Sequence, residues 1–121
     1  MWSLLMKELT SIEQYEEIKR LSNEQPIFIM KHSTRCSRSA SAYEAVGRFS
    51  TTSATPTTIY ILDLLAHRDV SNLIEQDTGI QHESPQIFLF INGTVVWEAH
   101  HWEVKEENLS SALQSSIQTS K

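Results

Sequence analysis

Cysteine is nearly absent from this sequence. Cys36 is the only one in 121 residues, so no disulfide can close within the chain and no zinc site can be assembled from thiolates alone. Long apolar runs are missing too: nothing approaches the roughly 18 residues that a membrane span needs. The opening "MWSLLMKELT" carries Glu8 and lacks an apolar stretch of leader length. The expected address is therefore the cytoplasm, where a lone thiol stays reduced. Positive charge is also in short supply. Lys and Arg total 10 against 15 Asp and Glu, for a net charge of −5, which argues against nucleic acid as a partner because phosphate binding needs a cationic surplus. Neither an internal repeat nor a linker divides the chain.

What is present fits one globular domain over 1–121. Apolar residues make up 40% and charged residues 21%, and a chain of this length buries roughly two-thirds of its unfolded surface. "SIEQYEEIKRLSNEQ" spaces Ile12, Tyr15, Ile18 and Leu21 by three and four, with Leu5 and Leu9 ahead of them. This predicts an amphipathic N-terminal helix over about 11–22, capped by Ser11. The core then runs over about 26–117. "PIFIM" (26–30) is a buried strand opened by Pro26, and a small-residue helix follows from Ser37 to Phe49. "STTSATPTT" (50–58) reads as a connector. "IYILDLL" (59–65) has the near-continuous apolarity of a strand covered on both faces. "RDVSNLIEQDTG" (68–79) is a helix closed by Gly79. Strands at about 86–91 and 94–98 flank Asn92-Gly93, a dipeptide suited to the positive φ of a type I′ hairpin, and a last helix spans about 105–117. The expected product is an α/β domain with a four-stranded mixed sheet flanked by helices. After an extra N-terminal helix, its order β-α-β-α-β-β-α is that of the thioredoxin-like fold.

Chemistry concentrates around Cys36, between a strand and a helix in "FIMKHSTRCSRSASAY". A thiol at a helix N-terminus meets unpaired N–H groups and the positive end of the macrodipole, which favour the thiolate. From residue 31 to 48 four basic residues (Lys31, Arg35, Arg38, Arg48) face Glu44 alone, and His32 adds charge when protonated. Such a basic island on an acidic chain suits a small anion. The polar flanks make a poor wall for an inert core thiol, so Cys36 reads as reactive. Ser39 stands three residues on, where a dithiol oxidoreductase has its second sulfur. A Cys-x-x-Ser pair can take up a mixed disulfide, yet needs an external thiol to release it. In "HESPQ" (82–86), Pro85 opens a strand; its cis or trans state is not legible from sequence. In "WEAHHW" (97–102), His100 and His101 are adjacent on an extended segment and should face opposite sides. No metal site is expected from them with His82 and Cys36, and Trp97 and Trp102 are expected to cap the sheet.

The segments "KHSTRCSRSASAY", "RDVSN", "GIQHESPQIFLF" and "NGTVVWEAHHW" together resemble the YtxJ-like family of monothiol bacilliredoxins, also called BrxC, over roughly residues 8 to 117. The resemblance implies a thiol–disulfide oxidoreductase that removes bacillithiol from S-bacillithiolated proteins through a Cys36–bacillithiol mixed disulfide. It makes Cys36 and Ser39 the catalytic pair and implies a cis Pro85 opposite them, with Ser84 offering its backbone to the bound thiol. Arg35, Ser37 and Arg38 would join Ser84 and Pro85 in binding the substrate. Bacillithiol is then a co-substrate, client proteins are the other partners, and no cofactor is required. The chain departs from the family pattern where Ser37 and Arg38 replace a proline and an aliphatic residue, and where His100 replaces a serine; no role is carried over to His101. Two other readings stand beside this one. The first is a non-catalytic thioredoxin-fold interaction module or stress-response module docking through the "HESPQ" edge. The second is a cluster-holding monothiol glutaredoxin, which the missing glycine-phenylalanine pair after Cys36 disfavours.

Overall fold

The computed structural model describes residues 5–33 and 37–119, without the side chains of 37, 38 and 117–119. Thr34, Arg35 and Cys36 lie outside the described residues. The order is β1 (Met6–Glu8), α1 (Ile12–Leu21), β2 (Ile27–His32), α2 (Ser37–Thr52), β3 (Thr58–Asp63), α3 (Arg68–Thr78), β4 (Gln86–Ile91), β5 (Thr94–His100), a short 3-10 turn (His101–Glu103) and α4 (Glu106–Thr119). The architecture is the thioredoxin-like α/β fold. Its sheet has five strands, in the order β1-β3-β2-β4-β5, rather than the four expected. The extra strand is β1, parallel to β3 with Met6 opposite Ile59 and Glu8 opposite Ile61. Its sequence, Met-Lys-Glu, has no strand signature. It exists because β3 offers a free edge, and Leu5 and Leu9 belong to this pairing rather than to the helical repeat.

Alternation along the central strands divides the molecule into two layers. Phe28 and Met30 of β2, with Ile59 of β3 and Ile87 and Leu89 of β4, face Val46 and Phe49 of α2 and Leu109 and Leu113 of α4. Phe28 meets Phe49 edge-on at 5.6 Å and Trp97 at 6.4 Å, geometries that aromatic quadrupoles favour. On the other side Ile27, Ile29, Leu62, Phe88 and Phe90 pack against Tyr15 and Ile18 of α1 and Val70 and Ile74 of α3.

Local signals end the elements. Ser11 caps α1 by accepting the Gln14 N–H at 3.1 Å. Gly79, at φ +71°, closes α3 with its N–H on Glu75 O at 3.0 Å. Asn92 (φ +54°) and Gly93 (φ +77°) turn the hairpin, and the β4–β5 register shifts between Leu89 and Phe90, a bulge that lets β5 continue to His100. β3 stops at Asp63, two residues short of expectation. Leu64 instead donates its N–H to His32 O at 3.0 Å, leaving 64–66 as a turn at the C-terminal ends of β2 and β3. No described helix is long and apolar enough to cross a membrane.

Candidate active site

β2 delivers the chain to His32, and α2 starts at Ser37, so the frame on either side of Cys36 is defined. Ser39, the third residue of α2, is completely buried. Its Oγ accepts the Ser33 N–H at 3.2 Å and lies 3.5 Å from Ser84 Oγ. The serine expected in place of a second sulfur thus bridges the end of β2 to the loop before β4. There the Ser84–Pro85 peptide bond is cis, and Pro85 is buried. Of the residues singled out from sequence, Ser39, Ser84 and Pro85 come together. The backbones of Ser37 and Arg38 lie in the first turn of α2, and their side chains, like Arg35 and Cys36, lie outside what the structure describes.

The Pro85 loop is held from three directions. Pro85 O accepts the His101 N–H at 2.9 Å, and His101 Nε2 sits 3.1 Å from Glu83 Oε1. Gln86, wholly buried, accepts the Glu83 N–H at 3.1 Å and donates to Gln81 O at 3.0 Å and to Glu98 Oε2 at 2.8 Å. The third tie is Lys31. Its ammonium donates to Ser71 O at 3.2 Å and faces His82 Nδ1 at 3.1 Å, while the His82 N–H donates to Glu75 Oε2 at 2.8 Å.

Lys31 therefore does not belong to a surface island beside the thiol. It follows Ile27 and Ile29 onto the α1–α3 face and is fully buried. Burial pushes its pKa down to about 8, with Glu75 opposing. His82 is held below its ordinary value by burial first and the Lys31 charge second, so the imidazole is neutral and accepts from Lys31. His32, counted as conditional charge, is likewise lowered by burial. Its ring lies 5.0 Å from that of Tyr43, and its buried Nδ1 has no partner among the described residues. The positive charge available at this end of the sheet is reduced accordingly.

The two adjacent histidines also depart from expectation. His101 leaves the extended conformation at φ +54°, which brings its ring edge-on to His100 at 5.0 Å instead of across the sheet. His100 Nδ1 pairs with Glu98 at 2.9 Å, and that bond lifts its pKa. Among the described residues no group of three His, Cys, Asp or Glu is arranged to hold a metal ion. Trp97 packs on Phe28 as a sheet-capping aromatic, whereas Trp102 is 72% exposed. The Lys31–Ser71–His82 contact was missed from sequence, although strict alternation through Ile27 and Ile29 was a sufficient signal for the side on which Lys31 lies.

Comparison with known proteins agrees with this geometry. The family model described as monothiol bacilliredoxin BrxC matches residues 7–109. A structure described as a candidate oxidoreductase with a thioredoxin fold superposes with a TM-score of 0.80 at 34% identity, covering 89% of this chain and 93% of that one. The fold is shared with thioredoxins of low identity. One, from Trypanosoma brucei brucei, has a TM-score of 0.72 at 13% identity and coverage of 92% and 89%. Another, from Malassezia sympodialis, has a TM-score of 0.67 at 19% identity and coverage of 98% and 91%. The chain belongs to the monothiol bacilliredoxin family BrxC and is a thiol–disulfide oxidoreductase of the thioredoxin-like fold.

Proposed function

We propose that the protein removes bacillithiol from S-bacillithiolated client proteins in the cytoplasm, using Cys36 as the sole thiol. The Cys36 thiolate attacks the bacillithiol sulfur of the client mixed disulfide. A new S–S bond forms between Cys36 and bacillithiol as the old one breaks, and the client leaves as a thiolate that takes a proton from water. A second, low-molecular-weight thiol then attacks the bacillithiol sulfur as its own thiolate. It carries bacillithiol away as a new disulfide and returns Cys36 to the thiolate form. No cofactor enters this cycle.

The observation that carries the reading is the state of Ser39. Its hydroxyl is buried and engaged with the Ser33 N–H and Ser84. It cannot substitute for a resolving thiol, and the sequence has no other sulfur nucleophile, so the adduct must wait for an external one. The cis Ser84–Pro85 bond beside Ser39 gives a bound disulfide backbone groups to lie against. Arg35, Ser37 and Arg38 are the proposed contacts for the anionic malate part of bacillithiol.

Intact-mass spectrometry of the reduced protein after exposure to a bacillithiolated client tests this. The expected result is one bacillithiol adduct on Cys36 with release of free client, and none in Cys36→Ala. Removal of bacillithiol by Cys36→Ala would defeat the proposal. So would the absence of an adduct on folded protein whose thiol still alkylates, an outcome that would favour a non-catalytic interaction module.

A further inference from the structure

We infer that Trp102 is the platform on which the sugar ring of bacillithiol stacks, an inference that rests on the bacillithiol reading above. Tryptophan is one of the most extensively buried residue types, yet Trp102 is 72% exposed while Trp97, five residues earlier, is half-buried against the core beside Phe28. The exposed indole is not on a loose loop. The residue before it, His101, is tied to the Pro85 loop by its N–H on Pro85 O (2.9 Å) and by Nε2 against Glu83 (3.1 Å). On the other side Val104 closes the turn with its N–H on His101 O at 3.3 Å, and the His100 N–H is held by Glu103 Oε1 at 3.3 Å. The backbone on either side of the indole is fixed in this way, so a ligand does not have to order it on arrival.

Beside Trp102 a recess of about 490 Å³ separates the 3-10 turn from α2. Its α2 wall is Ser41, Ala42 and Ala45, small enough to leave room for a six-membered ring. Ser41 lies about 6 Å along the helix axis from Ser37, the residue that follows Cys36. The rim carries both charge signs: Arg48, which donates to Glu106 at 2.8 Å, together with Lys105 and Glu107. A hexose ring presents a face of weakly positive C–H bonds, which an indole face attracts, and an edge of hydroxyls that need donors and acceptors together. That is what an exposed indole with a mixed polar rim provides. An apolar peptide side chain would be better served by an apolar rim. In bacillithiol the glucosamine ring sits between the cysteinyl unit and the malate, one amide link from the cysteine that carries the reacting sulfur, and Trp102 directly follows His101, which is bonded to the Pro85 loop.

The experiment compares two adducts of one client protein, bacillithiol and plain cysteine, which differ by the sugar–malate part. For each enzyme variant the ratio of kcat/KM for the bacillithiol adduct to that for the cysteine adduct is measured. Trp102→Ala is expected to lower this ratio about tenfold, the scale of one aromatic stacking contact, and Trp102→Phe to lower it by much less because a ring remains. An unchanged ratio in Trp102→Ala, with both adducts slowed equally or neither slowed, overturns the platform and leaves the bacillithiol reading intact. The first of these patterns would assign Trp102 to client docking. A wild-type protein that strips bacillithiol from no client overturns the underlying reading and the platform with it.

Discussion

Lys31 is a fully buried cation whose nearest partners are a carbonyl and a neutral imidazole, with no carboxylate in contact. Its ammonium stands 5.8 Å from the centre of the Phe88 ring, and Glu75 adds attraction from farther away. Burial of charge is costly, and here the cost appears as a pKa moved from 10.5 to about 8. The folded protein therefore binds fewer protons than the unfolded chain between those two values. Stability from this group rises with pH across that window, and the penalty is fully present below about pH 8. Other groups titrate nearby, so the difference between wild type and Lys31→Met isolates the effect. That difference should move by about 3 kcal/mol in favour of wild type between pH 7 and pH 10.5, measured by chemical unfolding at each pH. A gap that does not change with pH would mean that Lys31 titrates like an exposed lysine.

At the scale of elements, α1 and α3 are clasped over the sheet by a polar pair set at the edge of an apolar layer. Tyr15 donates its hydroxyl to Asp77 Oδ2 at 2.7 Å, and Lys19 reaches the same oxygen at 2.8 Å. Lys19 first and Tyr15 second hold the Asp77 carboxyl below its ordinary value, while burial and then Asp77 push the Tyr15 phenol well above its own. Asp77 therefore contributes stability that is present above pH 3.8 and lost as pH falls through its lowered value. Asp77→Asn should remove that part of the acid slope in urea unfolding followed from pH 7 down to pH 2. The effect should stay under about 1 kcal/mol because the carboxylate is partly exposed. Tyr15→Phe should cost about 1 kcal/mol at neutral pH. The helices themselves were legible: α1, α3 and α4 begin and end within two residues of expectation because caps and periodicity are local. α2 runs to Thr52, three residues past Phe49, because Thr51 and Thr52 fold their hydroxyls back onto Arg48 O at 3.0 and 2.8 Å and satisfy the last turn.

At the scale of the whole molecule, β1 seals one edge of the sheet. Ile59 donates its N–H to Leu5 O at 2.9 Å and Leu9 donates to Ile61 O at 2.9 Å, and Leu9 is completely buried. Without this strand the β-branched edge of β3 would be open to another chain. Leu9→Ala should cost about 2–3 kcal/mol with the chain otherwise unchanged in size. Removal of residues 1–9 should lower the thermal midpoint further and produce self-association detectable by light scattering. A truncated chain that melts like wild type at its original size would show that β1 is dispensable.

Near neighbours and pattern along the chain are enough to set the periodic faces of the helices, the apolar cores of β2, β3 and β4, the Asn92-Gly93 turn, the Gly79 stop, and the thioredoxin-like order that follows from them. Composition also sets the chemistry available, one thiol and no second. The tertiary structure alone decided the features set by partners distant in the chain. A Met-Lys-Glu strand exists because β3 lies beside it. Lys31 turns inward to Ser71 and His82, forty and fifty-one residues away, so its charge serves the Pro85 loop. Ser39 joins Ser84 across 45 residues. Trp102 stays in solvent because His101 is drawn to Pro85 and Glu83. Local free energies can be read along the chain, but these contacts arise only once the sheet has brought its strand ends together.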